Sequence, residues 1–199
     1  LSKVSYVCLQ GKIDYEKFKN NKVPEKKLLI TGSPEHDTLY KKYINYSKTK
    51  KDFCKYNNIS PKEKIVLICL PNNKEHKICD EKTHWEIINK ICSKISKVKS
   101  NIFLSLHPKC NREEYLFLEK KYSLKILNEP LREILPVADL FICNAHSSTA
   151  IWSILCEIPL IIINSLNSNF QMNKDNINGI IFIEDLDKIY KFAKKIFSD

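Results

Sequence analysis

Five short runs of almost unbroken apolar residues, at 65–70, 102–106, 140–143, 160–163 and 180–183, constrain this chain more than any other feature. A strand that faces solvent on one side alternates apolar with polar residues. A strand buried on both faces does not, and that burial is typical of a parallel sheet covered by helices. Apolar residues recur at helical spacing between the runs, most cleanly over 83–98, where Ile87, Ile88, Ile91, Cys92 and Ile95 share one face. Further helical patterns occupy 13–20, 36–43, 48–56, 113–122, 148–156 and 186–197, with a brief turn at 131–135. Shorter strand signals lie at 4–9, 28–31 and 124–126. Strand–helix alternation of this kind predicts an α/β fold: a Rossmann-like parallel sheet with helices on both faces.

The chain of 199 residues is long enough for a sizeable core. The most apolar region, 138–164, is interrupted by Asn144, His146 and Glu157, so it reads as strand, helix and strand rather than as a membrane span. The sequence opens on Leu1, which suggests a piece of a longer protein. Net charge is +10, but of 33 basic residues only Arg112 and Arg132 are arginine. Nucleic-acid readers rely on arginine for bidentate contacts, and the lysines here are spread along helical faces, so no nucleic-acid partner is expected. The positive charge suits an anionic small molecule, or peripheral association with the inner face of a membrane. The eight cysteines include no CxxC pair, and Cys8, Cys69, Cys143 and Cys156 fall inside apolar runs. This pattern points to reduced, cytoplasmic thiols rather than a disulfide framework. Cys79 and His84 have no second ligand pair, so no metal site is expected.

In open parallel sheets, ligands bind beyond the carboxyl ends of the strands. Four strand exits are therefore informative: Gly32-Ser33-Pro34, Pro71-Asn72-Asn73, His107-Pro108-Lys109, and the segment from Asn144 to Thr149. All four are expected along one edge. In "NAHSSTA", Ser147, Ser148 and Thr149, with His146 beside them, stand where a strand leads into a helix. Such a turn can hold a phosphate through backbone N–H groups and hydroxyls. One hydroxyl there is equally explained as a helix cap. No glycine stands two residues either side of Ser147 or Ser148, which argues against a serine-hydrolase elbow. His107 and Lys109 read as groups facing an anion, with His107 a candidate for acid–base work. Gly32 suits a positive φ or a close backbone approach, with Ser33 beside it. Pro71–Asn73 reads as a turn, and His84-Trp85 as a cap-region histidine and a half-buried aromatic.

Three passages, "KLLITGSPEHDTL", "NIFLSLHPK" and "PLREILPVADLFICNAHSSTAIWSILCEIPLIII", follow one another in an order that resembles the C-terminal half of two-domain, GT-B-type nucleotide-sugar enzymes. The strand–His-Pro passage is similar to that of UDP-N-acetylglucosamine 2-epimerases and related polymer and capsule transferases. The likeness runs from about Lys27 to Asn164. It implies that residues 1–26 end an N-terminal domain or form a linker, and that 27–199 form a C-terminal nucleotide-sugar-binding domain. It further implies that Ser147, Ser148 and Thr149 hold the donor diphosphate, with His107 near the nucleotide or phosphate and Gly32 and Ser33 near the interdomain cleft. The partners it implies are a nucleotide-sugar, of the UDP-sugar class, and a missing N-terminal domain. No cofactor or metal is implied, and the oligomeric state is left open. Two departures stand out. The family often places a ribose-binding Glu in the helix after the hydroxyl turn, where this chain has Ala150, Ile151, Trp152 and Ser153. The epimerase double glycine is replaced by Ser148-Thr149. Both favour a transferase in glycan synthesis over a strict 2-epimerase. A non-catalytic Rossmann-like binding module is the alternative of a different class. Catalytic bases from the other half are absent, so this chain alone is expected to bind nucleotide weakly and not to turn over.

Overall fold

The structure, a computed structural model, describes residues 4–166 and 179–198. A six-stranded sheet forms its centre, built from β3 (Ile65–Cys69), β4 (Asn101–Ser105), β5 (Lys125–Ile126), β6 (Leu140–Asn144), β7 (Leu160–Ile163) and β8 (Ile180–Ile183). Every neighbouring pair is parallel, and the spatial order is β5-β4-β3-β6-β7-β8. The predicted α/β class and parallel sheet are therefore what the chain adopts. The polar segment expected between β7 and β8 lies largely outside the described residues.

Side chains alternate across each strand, so one apolar run feeds two cores. Val66, Ile68, Leu104, Ile142 and Ile161 point to one face. There they meet α4 (Glu81–Ile95), α5 (Arg112–Tyr115), α6 (Phe117–Tyr122) and α9 (Ile189–Ser198). Ile65, Leu67, Phe103, Phe141 and Ile162 point to the other. That face is covered by α2 (Pro34–Ile44), α3 (Tyr46–Asn57), α7 (Leu131–Ile134) and α8 (Ala150–Leu155). Asp80 sets the start of α4, accepting the Thr83 backbone N–H at 2.7 Å. Asp139 ties the start of β3 to that of β6: its carboxylate accepts the Ile65 N–H at 2.9 Å and pairs with Lys50 at 3.2 Å. All eight cysteines are free, and burial pushes the Cys92 thiol up to about 12.

A second, two-stranded parallel sheet pairs β1 (Val7–Leu9) with β2 (Leu28–Ile30). Helix α1 (Lys12–Asn20) connects them, and Leu9, Val23 and Leu28 make a small core of their own. The strand at 28–30 thus pairs with residues on the far side of position 26 and does not join the large sheet. Its neighbour in sequence, β1, lies one short crossover away, and consecutive strands joined this way commonly pair with each other. Gly32, just past β2, has φ +75°, and a Cβ added there would meet no atom within 4 Å. Its conformation, not a close approach, is what requires glycine. Gly32→Ala is expected to cost about 1 kcal/mol and to lower the melting temperature by about 2–4 °C in a thermal scan.

Candidate functional site

The strand order reverses between β3 and β6. From β3 the chain proceeds outward through β4 to β5; from β6 it proceeds outward the other way through β7 to β8. The connecting loops leave in opposite directions there, which opens a crevice at the carboxyl edge. A cleft of about 370 Å³ lies at that point. Its walls come from the exit of β3 (Cys69 to Asn73, with His76), the exit of β4 (His107) and the exit of β6 (Asn144 to Thr149). Asn164, past β7, completes it.

Of the expected site residues, the fold brings His107, His146, Ser147, Ser148 and Thr149 together around this cleft. Lys109, two residues past His107, is exposed and does not line it, nor do Gly32 and Ser33. The last two leave the small sheet, so three of the four strand exits share the edge, not all four. No lysine, arginine or carboxylate lines the cleft among the described residues; its polar surface is histidine, asparagine and hydroxyl.

The hydroxyl turn caps only weakly: the Ser147 Oγ accepts the Thr149 N–H at 3.4 Å. Helix α8 begins at Ala150 rather than Ser148, and Thr149, at its N-cap, makes no side-chain capping bond. Instead the Ser147 Oγ and Thr149 Oγ1 lie 2.7 Å apart. His146 takes φ +67°, a left-handed kink that reverses the chain directly after the strand. The Ser147 N–H then returns to the Asn144 carbonyl at 3.1 Å. Beneath them, burial pushes the Cys69 thiol up to about 11, a rise moderated by hydrogen bonds with the Thr149 and Ser147 hydroxyls. Because α8 has six residues, its dipole is small, and the turn's hydroxyls and N–H groups supply most of the local polarity. Trp152, where a ribose-binding carboxylate would be expected, packs against the core on the α8 face of the sheet. Ser153 is buried and donates to the Ile158 carbonyl at 2.8 Å. This helix face is thus committed to packing.

Across the cleft, the His107 ring meets His76 edge to face, with centroids 5.5 Å apart. The Lys109 backbone N–H donates to His107 Nδ1 at 3.1 Å. In the neutral ring this leaves the proton on Nε2. Burial, followed by the nearby His76 and Lys109, holds His107 below the usual histidine range. An anion in the cleft would oppose that shift by favouring the imidazolium.

The loop carrying Asn73 and His76 is anchored from below by groups whose roles were not legible in the sequence. His84 stands in the first turn of α4, as expected of a residue near the cap, but it is fully buried, pointing inward to Tyr115 from a turn whose Glu81 and Lys82 are exposed. Its Nδ1 accepts the Lys74 N–H at 3.4 Å, and its Nε2 lies 2.9 Å from the Tyr115 hydroxyl. That hydroxyl donates to Glu75 Oε1 at 2.8 Å. Burial raises the Glu75 carboxyl, but hydrogen bonds from its own backbone N–H, Tyr115 and Cys110 outweigh it and leave the pKa lowered. Burial, partly offset by Glu75, depresses His84; Lys74, Glu81 and Glu114 are the other charges near it. A histidine whose folded pKa is lowered takes its proton first in the unfolded chain. Its effect on stability is therefore flat above the unfolded value of about 6.5 and turns destabilising as pH falls below it. His107 has the same sign. The urea midpoint is expected to fall between pH 7.5 and pH 5.5, and to fall less in His84→Gln.

The second signal missed in the sequence is Asn73, which reads there as part of a turn. It is 1% exposed and lines the cleft, and neither its Nδ2 nor its Oδ1 has a hydrogen-bond partner.

The sequence matches no protein-family model and no curated protein. Its fold, however, matches known structures closely. Over 98% of its length it superimposes on 47% of the wall teichoic acid polymerase TagF, with a TM-score of 0.66 and 14% identity. Over 98% it superimposes on 55% of the UDP-GlcNAc 2-epimerase of Methanocaldococcus jannaschii, with a TM-score of 0.70 and 15% identity. The latter structure holds UDP-GlcNAc and UDP. The chain spans about half the length of both. It has the architecture of one Rossmann-like half of a GT-B fold.

Proposed function

We propose that this chain is the donor-binding half of a nucleotide-sugar enzyme, of transferase type, acting in cell-surface polysaccharide or glycan synthesis. The observation that carries this reading is the convergence of the β3, β4 and β6 exits on one cleft at the switch point of the sheet. The hydroxyls of Ser147 and Thr149, with Ser148 and the neighbouring N–H groups, take the diphosphate. His107 and His76 face it from the β4 and β3 sides. As the sugar leaves, charge builds on the diphosphate, and donors fixed in a turn stabilise that charge without reorganising. An anion in the cleft favours the imidazolium of His107, which adds positive charge where the lining has no lysine or arginine. No metal or cofactor enters the reading; among the described residues no acidic, histidine or cysteine group forms a metal cluster. The remaining catalytic groups belong to the second half of the fold, across the interdomain cleft. Among the described residues no helix is long and apolar enough to cross a membrane. A cytoplasmic setting is part of the proposal.

Calorimetric titration with UDP, CDP, GDP and UDP-N-acetylglucosamine tests the reading. At least one should bind, weakly, to the isolated chain. If none binds to the chain, or to a longer product that carries a second domain, the donor-binding role is wrong. Product analysis on that longer protein separates transfer to an acceptor from release of an epimerised sugar. The 2-epimerase reading keeps its place because the M. jannaschii epimerase superimposes on nearly the whole chain.

A further inference from the structure

Among the described residues, the Asn73 carboxamide is the buried group whose bonding is least explained. Its residue is 1% exposed, and both polar ends of the amide are without a partner. Burying such a group unpaired costs free energy, and native proteins avoid it unless something else uses the group. Among the described residues the Ser165 Oγ is also unpaired, but Ser165 does not line the cleft, and the two remaining buried atoms are each half of a satisfied group. Glu75 leaves one oxygen unpaired but accepts from Tyr115 through the other. Arg132 leaves Nε unpaired but pairs with Glu35 through Nη1.

The position of Asn73 is as informative as its lack of partners. It stands at the exit of β3, the strand between those that carry His107 and the hydroxyl turn, and it lines the cleft they share. The loop around it is held firmly. Its own carbonyl accepts the Ile78 N–H at 2.8 Å, the Asn72 carbonyl accepts the His76 N–H at 3.1 Å, and His84 accepts from Lys74. The amide is therefore fixed in place without being used by the protein.

We propose that Asn73 is a ligand-binding residue that reads a donor and an acceptor on the same molecule. Its Nδ2 donates to an anionic oxygen, and its Oδ1 accepts from a hydroxyl held beside that oxygen. The ligand class is a phosphate ester of a polyol or sugar. A bare anion has acceptors only and would leave Oδ1 unpaired. This inference rests on the donor-binding reading and sharpens it, because it assigns the middle of the cleft to the junction of phosphate and sugar.

The test uses the wild-type chain with Asn73→Leu, close in shape, and Asn73→Ala. Each is titrated with inorganic diphosphate and with the sugar nucleotide that binds the wild type best, and each is melted without ligand. Both variants should lose at least tenfold more affinity for the sugar nucleotide than for inorganic diphosphate. Asn73→Leu should also melt higher, by about 2–4 °C, since it removes an unpaired polar group. Equal losses for the two ligands, or no loss, would overturn the inference while leaving the donor-binding reading intact. A lower melting temperature for Asn73→Leu would also overturn it, by showing that the amide is bonded within the protein or to a structural water. No binding of either ligand by the wild type would overturn both.

Discussion

Ser147→Ala/Thr149→Ala is expected to weaken binding of a nucleoside diphosphate about a hundredfold, with the fold intact. The two hydroxyls sit 2.7 Å apart on the cleft wall, and among the described residues the one backbone group either accepts is the Thr149 N–H, taken by Ser147 Oγ at a long 3.4 Å. One of them donates to the other and both reach Cys69, so a phosphate gains both donors by drawing them away from these partners. A hydrogen bond to a charged group contributes about 1.5–3 kcal/mol, and two lost together would exceed the roughly 2.7 kcal/mol of a hundredfold change unless water replaces part of them. The helix should lose little, because Thr149 makes no capping bond to forfeit. Titration calorimetry with the best nucleotide reads the affinity, and far-UV circular dichroism checks the fold. Unchanged affinity would remove the hydroxyl turn from the site. The non-catalytic binding module would then become the better reading, with its contacts on the lysine-bearing helices.

The largest stability effect is expected at Phe141→Ala. Phe141 is 0% exposed on β6, which hydrogen-bonds to strands on both sides, and it packs in the core beneath α2, α3 and α8. Deleting a buried phenylalanine costs about 3–5 kcal/mol, from lost transfer energy and from a cavity that rigid neighbours cannot close. Against a typical total of about 5–15 kcal/mol, that is enough to leave a sizeable unfolded fraction at 37 °C. The melting temperature should fall by about 6–20 °C. Phe141→Leu, which keeps most of the volume, should recover most of the loss. A fall of only a degree or two for Phe141→Ala would mean that the site repacks and that β6 is not the rigid centre it appears. Because β6 also carries the hydroxyl turn, the alanine variant should bind nucleotide less well wherever it is partly unfolded.

The strands and their class were legible in the sequence because burial on both faces leaves a mark that needs no partner to read. Ile65 to Cys69 is apolar at every position whatever lies beside it. The helix α4 was legible for a similar reason: its apolar residues repeat with the period of the helix itself. Hydroxyls and a histidine after β6 marked a polar strand exit, and polarity immediately after a buried strand is also a local signal. Strand neighbours were not legible. The expected edge included Gly32 and Ser33 because nothing in 28–31 distinguishes a strand of the large sheet from one that pairs with β1. The choice rests on which backbone is near enough to supply hydrogen bonds. His84 was misread for the same kind of reason, since its burial depends on Tyr115 and Glu75, which arrive from other elements.

The sequence by itself determined the layers of this protein: where strands and helices form, that the sheet is parallel, and that polar groups cluster at strand exits. These follow from short-range periodicity and from the cost of exposing apolar surface. Only the tertiary structure decided that the order of strands reverses between β3 and β6, which places Asn73, His107 and Ser147 around one cleft. It also decided that Trp152 belongs to the core and that Asn73 is buried with both ends unpaired. The physical reason is that a crevice and an orphaned amide are properties of how separate segments fit together, and no segment carries that information alone.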